Sequence, residues 1–86
     1  MQLELPTEPV TLTVEQLQEL NGKLSRMRHD INNALTVIIG TTEIIKHKPE
    51  AAQRLLEGLA QQPGRITDSM KTFCTDFEQV MGIKRR

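Results

Sequence analysis

Apolar residues recur every three or four positions along two long stretches of the chain, and a short polar interval separates the stretches. This spacing follows the 3.6-residue repeat of an α-helix rather than the two-residue repeat of a strand. The pattern therefore predicts an all-α fold made of two long helices. The apolar positions are Leu17, Leu20, Leu24, Met27, Ile31, Leu35, Ile38 and Ile45 in the first helix, and Leu55, Leu56, Leu59, Ile66, Met70, Phe73, Phe77, Val80 and Met81 in the second.

Local signals place the ends of these helices. Thr13-Val14-Glu15-Gln16 matches a capping box, in which the Thr13 hydroxyl accepts from the third-residue amide while Gln16 reaches back. Positive charge at Lys46 and Lys48 suits a helix C-terminus, and Pro49 suits the first turn of the next helix. The chain therefore divides into an extended lead-in at 1–12, a helical hairpin at 13–82 with a turn near 47–49, and a basic tail at 83–86.

Proline at position 63, followed by Gly64, interrupts the second helical pattern. Pro63 has no N–H to donate to the Leu59 carbonyl, and its ring crowds that carbonyl. The helix is expected either to kink near 63–64 or to break into two pieces near 50–62 and 65–81, and a kink is favoured. A break would give a three-helix monomer as the alternative fold.

Two amphipathic helices in a hairpin have apolar stripes that cannot all be covered by each other. Dimerisation into a four-helix bundle solves this problem, because the apolar positions of four helices then meet in one core. Counting back from the turn, we expect His29 to lie level with about Thr67 on the second helix.

Composition narrows the possible functions. Lysine plus arginine equals aspartate plus glutamate at 11 each, and Phe73 and Phe77 are the two aromatic residues, so nothing predicts nucleic-acid binding. One cysteine excludes a disulfide framework and a cysteine-based zinc site. The apolar runs are too short for a membrane span or a signal sequence. A cytoplasmic protein is expected.

The segment from Met27 to Ile38 carries the most chemistry, because it places a histidine next to carboxylate and amide groups. His29, Asn32, Asn33 and Thr36 cluster on a polar face beside the apolar stripe. Residues 22–48 are locally basic, whereas residues 1–21 carry four glutamates and no basic residue. This charge is either an ordinary solvated face or a surface for an anionic partner or phosphoryl group.

The run His29-Asp30-Ile31-Asn32-Asn33-Ala34-Leu35-Thr36-Val37-Ile38 closely resembles the phosphoacceptor box of sensor histidine kinases. The surrounding hairpin, over roughly residues 13 to 81, resembles their dimerisation-and-histidine-phosphotransfer domain. A weaker likeness lies in the second helix, at Leu56-Glu57, Leu59 and Arg65. Position 34 is alanine where many such boxes have proline, so the sequence does not predict the kink in the first helix that proline promotes.

The resemblance implies a role for each residue of the box. His29 would carry the phosphoryl group, Asp30 would orient the imidazole and assist its deprotonation, and Asn33 would bind phosphoryl oxygens or position a water. Asn32 and Thr36 are candidate partner contacts. Arg26 and Arg28 would steer an acidic partner, although an ordinary surface role is the simpler interpretation of both.

The resemblance implies a homodimeric phosphotransfer protein of two-component signalling. His29 would exchange a phosphoryl group with a receiver-domain aspartate or accept one from a separate kinase catalytic domain. No cofactor of its own is expected, and Mg²⁺ would come with the receiver. The 86 residues hold no ATP-binding domain, so no autonomous ATP-dependent kinase activity is expected. The alternatives are a non-catalytic dimeric adaptor and a phosphatase partner, either of which would dock a response regulator or kinase.

Overall fold

The computed structural model describes residues 3–85 and shows two long helices folded against each other as an antiparallel hairpin. Helix α1 spans Val14–His47, helix α2 spans Ala52–Met81, and a short 3-10 helix at Pro49–Ala51 joins them. The helical class and the hairpin are confirmed. Positions 1 and 2 of the predicted lead-in and position 86 of the basic tail lie outside the described residues.

Two strands of two residues each pair near the open end of the hairpin. Strand β1 at Leu3–Glu4 runs antiparallel to β2 at Lys84–Arg85, with Leu3 opposite Arg85 and Glu4 opposite Lys84. The pairing brings the two ends of the described chain together. The sequence pattern gave no sign of it, because a strand of two residues has no periodicity.

The predicted capping box starts α1 at the expected residue. The Thr13 hydroxyl accepts from the Gln16 backbone N–H at 3.0 Å, and the Thr13 backbone N–H donates to the Gln16 side-chain oxygen at 2.8 Å. At the same, open end of the hairpin, Gly82 closes α2 with a left-handed φ of 71°. The Ile83 N–H then donates to the Glu78 carbonyl at 2.8 Å, which satisfies one of the last carbonyls of α2.

Replacing Thr13 by alanine removes the hydroxyl acceptor at the start of α1. We expect the free energy of unfolding to fall by about 1 kcal/mol, measured by urea denaturation. Thr11→Ala is the matched control, because Thr11 is exposed and precedes the cap. Equal stability of the two variants would contradict a stabilising cap at Thr13.

The side chains of α1 that are turned towards α2 follow an alternating three- and four-residue spacing. All are buried or half-buried: Leu20, Leu24, Met27, Ile31, Ala34, Ile38, Thr41 and Ile45. The prediction that Leu35 lies on this stripe is wrong, because Leu35 is 42% exposed while Ala34 is 3% exposed. A spacing of three from Ile31 falls on Ala34, so the smaller residue occupies the contact with α2.

The pairing level of the two helices, meaning which residue of α2 lies opposite a given residue of α1, differs from the prediction. The Lys23 ammonium lies 3.6 Å from the Asp76 carboxylate, and Met27 and Phe73 border one groove. These contacts put His29 level with about Met70, three residues beyond the predicted Thr67. The 3-10 helix at Pro49–Ala51 makes the reversal longer than the tight turn assumed from the sequence.

Helix α2 runs without a break from Ala52 to Met81, through Pro63. The three-helix alternative, which needs a break near 63–64, is therefore wrong. The Thr67 hydroxyl donates to the Pro63 carbonyl at 3.0 Å, one turn beyond the Leu59 carbonyl to which Pro63 cannot donate.

The hairpin is a thin layer with almost no interior. It measures 58 × 29 × 13 Å, and its radius of gyration is 18.2 Å, against about 12 Å for a compact domain of this length. Among the described residues only Ala34, Ala51 and Gln62 are buried, and two of them are alanines. Most large apolar side chains therefore keep an exposed side.

Candidate functional site

His29 lies on the outward face of α1, on the side away from α2. Its side chain is 74% exposed. Met27 and Ile31, two residues before and after it, are half-buried against α2. Because two residues are about half a turn of helix, His29 points in the opposite direction. A rigid helix therefore presents the imidazole to any partner that approaches from solvent.

Two neighbouring side chains lie beside the same ring nitrogen of His29. The Asn33 side-chain nitrogen is 3.5 Å from His29 Nδ1, one helical turn further along α1. The nearer Asp30 carboxylate oxygen is 3.8 Å from the same Nδ1, a loose contact rather than a short hydrogen bond. Both contacts lie on the Nδ1 side of the ring, and Nε2 is left for a partner.

The two contacts favour different forms of the neutral imidazole. Asp30 accepts only, so it favours a proton on Nδ1 and leaves the lone pair on Nε2. The Asn33 side-chain N–H donates, so it favours a bare Nδ1 and a proton on Nε2. Asp30 thus supports Nε2 as a nucleophile, and Asn33 retains a donor that is free to turn towards a phosphoryl oxygen.

A polar groove, bordered mostly by charged and polar residues, runs along one edge of the hairpin beside His29, which does not itself border the groove. One part, of about 340 Å³, is bordered by Asp30 and Asn33 of α1 and by Arg65, Asp68 and Ser69 of α2. The adjoining part, of about 200 Å³, shares Asp30, Asp68 and Ser69 and adds Arg26 and Thr72. Arg26 therefore borders the groove, which carries charges of both signs.

The other predicted site residues stay apart from the groove. Arg28, Asn32 and Thr36 are exposed on α1, and none of them borders the groove. The Thr36 hydroxyl is turned back onto its own helix and donates to the Asn32 carbonyl at 2.9 Å. In this conformation the Thr36 hydroxyl proton is not directed at a partner.

Sequence reasoning missed Asp68 and Ser69 as residues of the site. A signal was present, because Gln62, Ser69 and Asp76 recur every seven residues and form a polar row beside the apolar row of α2. That row predicts a polar edge on the hairpin. Assigning it to the same edge as Asp30 requires the pairing level of the helices, which the turn determines.

Across residues 3–85, no group of three His, Cys, Asp or Glu side chains is placed to share a metal ion. No helix in that range carries an apolar stretch long enough to cross a membrane. Comparison of the chain with protein-family models, with curated proteins and with solved structures finds no match.

Proposed function

We propose that the protein is a homodimeric histidine phosphotransfer protein of two-component signalling. In this proposal His29 accepts a phosphoryl group from the aspartyl phosphate of a receiver domain, or from a separate kinase catalytic domain, and returns it to a receiver. The resemblance of residues 29–38 to the phosphoacceptor box suggested this function. The surroundings of His29 in the fold support it.

The observation that carries the proposal is the environment of the imidazole. His29 is exposed on a rigid helix, Asp30 and Asn33 lie near Nδ1, and Nε2 is free. Phosphoryl transfer depends on an in-line approach and on stabilisation of charge on the equatorial oxygens. An exposed Nε2 permits that approach, the Asn33 amide is a donor beside the ring, and Arg26 borders the neighbouring groove.

The transfer step balances with the residues present in the two partners. The Nε2 lone pair of His29 attacks phosphorus, an N–P bond forms, and the P–O bond to the receiver aspartate breaks. The aspartate leaves as a carboxylate, and the Nδ1 proton of His29 stays beside Asp30. A Mg²⁺ ion bound by the receiver would neutralise phosphoryl charge. A cytoplasmic location follows from such partners.

Dimerisation is part of the proposal, and α2 supports it. Leu59, Ile66, Phe73 and Val80 recur every seven residues and are half-buried against α1. A second row lies beside the first, away from the polar groove, and its large side chains stay exposed: Leu56 at 52%, Met70 at 49% and Phe77 at 36%. The apolar stripe of α2 is therefore wider than α1 alone covers.

The solvent-accessible surface area of the single chain also supports dimerisation. The chain exposes 6930 Å², whereas a compact monomer of 9.8 kDa exposes about 5,200 Å². The excess of roughly 1,700 Å² lies within the area that each partner of an obligate homodimer buries, about 1,000–2,500 Å². A dimer with two-fold symmetry would bury the Leu56, Met70 and Phe77 row and leave both copies of His29 outside.

A transfer experiment tests the function. The protein is incubated with labelled phospho-receiver domains, and separately with a kinase catalytic domain and ATP. We expect label on the protein that is labile in acid and stable in base, as a phosphoramidate is. Absence of label with every donor contradicts the proposal, and binding of a receiver without label then supports the adaptor instead.

The position of Asn33 supports a second candidate activity, the hydrolysis of a receiver's aspartyl phosphate. Its amide borders the groove with Asp30 and lies one turn from His29, so it can hold a water in line with phosphorus. We expect Asn33→Ala to slow dephosphorylation of a phospho-receiver by about 100-fold, measured by loss of label over time. The matched control is Asn32→Ala, since Asn32 does not border the groove. Equal rates for the two variants would contradict this role of Asn33.

A further inference from the structure

The middle of α2 has an incomplete hydrogen-bond ladder. Pro63 lies in the helix interior and has no N–H to donate to the Leu59 carbonyl. Two glycines flank it, Gly58 and Gly64, and a Cβ at either position would meet open space. Each glycine weakens a helix by about 1 kcal/mol relative to alanine. Packing within the hairpin requires neither glycine.

The same stretch holds a buried polar group without a partner. Gln62 is 4% exposed, and its side-chain nitrogen donates to the Gly58 carbonyl at 3.0 Å. Its side-chain oxygen has no hydrogen-bond partner among the described residues. A buried unpaired acceptor costs roughly 1–3 kcal/mol. The closed helix therefore carries an unfavourable free energy that local opening relieves, since water then reaches the Gln62 oxygen.

The stretch lies directly before the α2 wall of the polar groove. Arg65, Asp68 and Ser69 follow Pro63 within two turns, and they face Asp30 and Asn33 of α1 across the groove. A bend at Pro63 changes the direction of the segment that carries these three residues. A change in helix direction there alters the width of the groove beside the His29 site.

We propose that residues 58–67 form a hinge of α2. The hinge opens locally while the rest of the helix stays formed. Its opening moves Arg65, which lies within it, and Asp68 and Ser69, which follow it, relative to Asp30 and Asn33. This device belongs to the fold and does not rest on the proposed phosphotransfer function.

Native-state amide hydrogen exchange followed by NMR tests the hinge directly. In the wild type, amides of residues 59–68 are expected to exchange at least about tenfold faster than those of the facing stretch of α1. Pro63→Ala restores the missing donor and should slow that exchange about 100-fold. Gln62→Leu removes the unpaired acceptor and should slow it about tenfold.

Two matched controls separate the hinge from general effects of the substitutions. Pro49→Ala changes a proline at a helix start, where a missing N–H costs nothing, and Gln61→Leu changes the exposed neighbour of Gln62. Both should leave exchange in residues 59–68 unchanged. All samples are compared at concentrations that give the same solution mass.

Relaxation dispersion of the Asp68 and Ser69 amides tests the movement of the groove wall. We expect microsecond-to-millisecond exchange at both amides in the wild type and its loss in Pro63→Ala. Uniform protection along α2 in the wild type, or exchange that Pro63→Ala leaves unchanged, would overturn the proposal.

Discussion

Replacing His29 by glutamine is expected to abolish phosphoryl transfer to the protein. Glutamine keeps a polar side chain on the exposed face of α1 but has no nitrogen lone pair able to attack phosphorus. Loss of the nucleophile should reduce labelling by a phospho-receiver by at least about 1,000-fold. Stability should hardly change, because the side chain is 74% exposed and packs on nothing that the fold needs.

His47→Gln is the matched control for this experiment. His47 also lies on α1, its side chain is also 74% exposed, and a carboxylate oxygen of Glu43 lies 3.4 Å from its Nε2. Solvent exposure and a nearby carboxylate are therefore shared by the two histidines, whereas a side-chain amide contact to the ring, from Asn33, is found at His29 and not at His47. Retained labelling in His29→Gln, or its loss in His47→Gln, would contradict the assignment of the nucleophile.

Replacing Met70 by glutamate is expected to dissociate the proposed dimer. Met70 is 49% exposed in the single hairpin, so a monomer tolerates the carboxylate with little loss of stability. Burial of an unpaired charge between two copies costs about 3 kcal/mol or more. The dissociation constant should therefore rise at least about 100-fold. Light scattering over a dilution series measures it.

Lys71→Glu is the control for Met70→Glu. It places the same carboxylate one residue further along α2, at an exposed position outside the apolar rows. We expect Lys71→Glu to keep the wild-type solution mass, twice the chain mass of 9.8 kDa. A monomeric wild type, or equal dissociation of both variants, would show that this face of α2 is not the contact between copies.

The sequence predicted the helices well where a local signal marked their ends. The Thr13 capping box and the apolar spacing up to Met81 depend on near neighbours in the chain, and the structure follows both. The contact between the helices was harder to predict. From Ile31, both Ala34 and Leu35 continue the spacing, and hydrophobicity favours Leu35 although the regular three-four alternation selects Ala34.

The residues that α1 contributes to the candidate site were predictable from the sequence, and those that α2 contributes were not. His29, Asp30 and Asn33 lie within one turn and a quarter of α1, so helical spacing alone brings them together. Asp68 and Ser69 join the groove through the pairing level of α1 and α2. The 3-10 helix at Pro49–Ala51 determines that level. Pro49 signals a helix start, but nothing in these three residues distinguishes a 3-10 turn from the first turn of α2.

The measurement that tests the central claim most directly is NMR of the protein labelled with ¹⁵N on histidine, recorded after reaction with a phospho-receiver. Coupling of phosphorus to a ring nitrogen identifies both the residue and the atom that carries the phosphoryl group. We predict one phosphoramidate for each chain, on Nε2 of His29. A phosphoryl group on His47, on a side-chain oxygen, or on no residue of the chain would contradict the account.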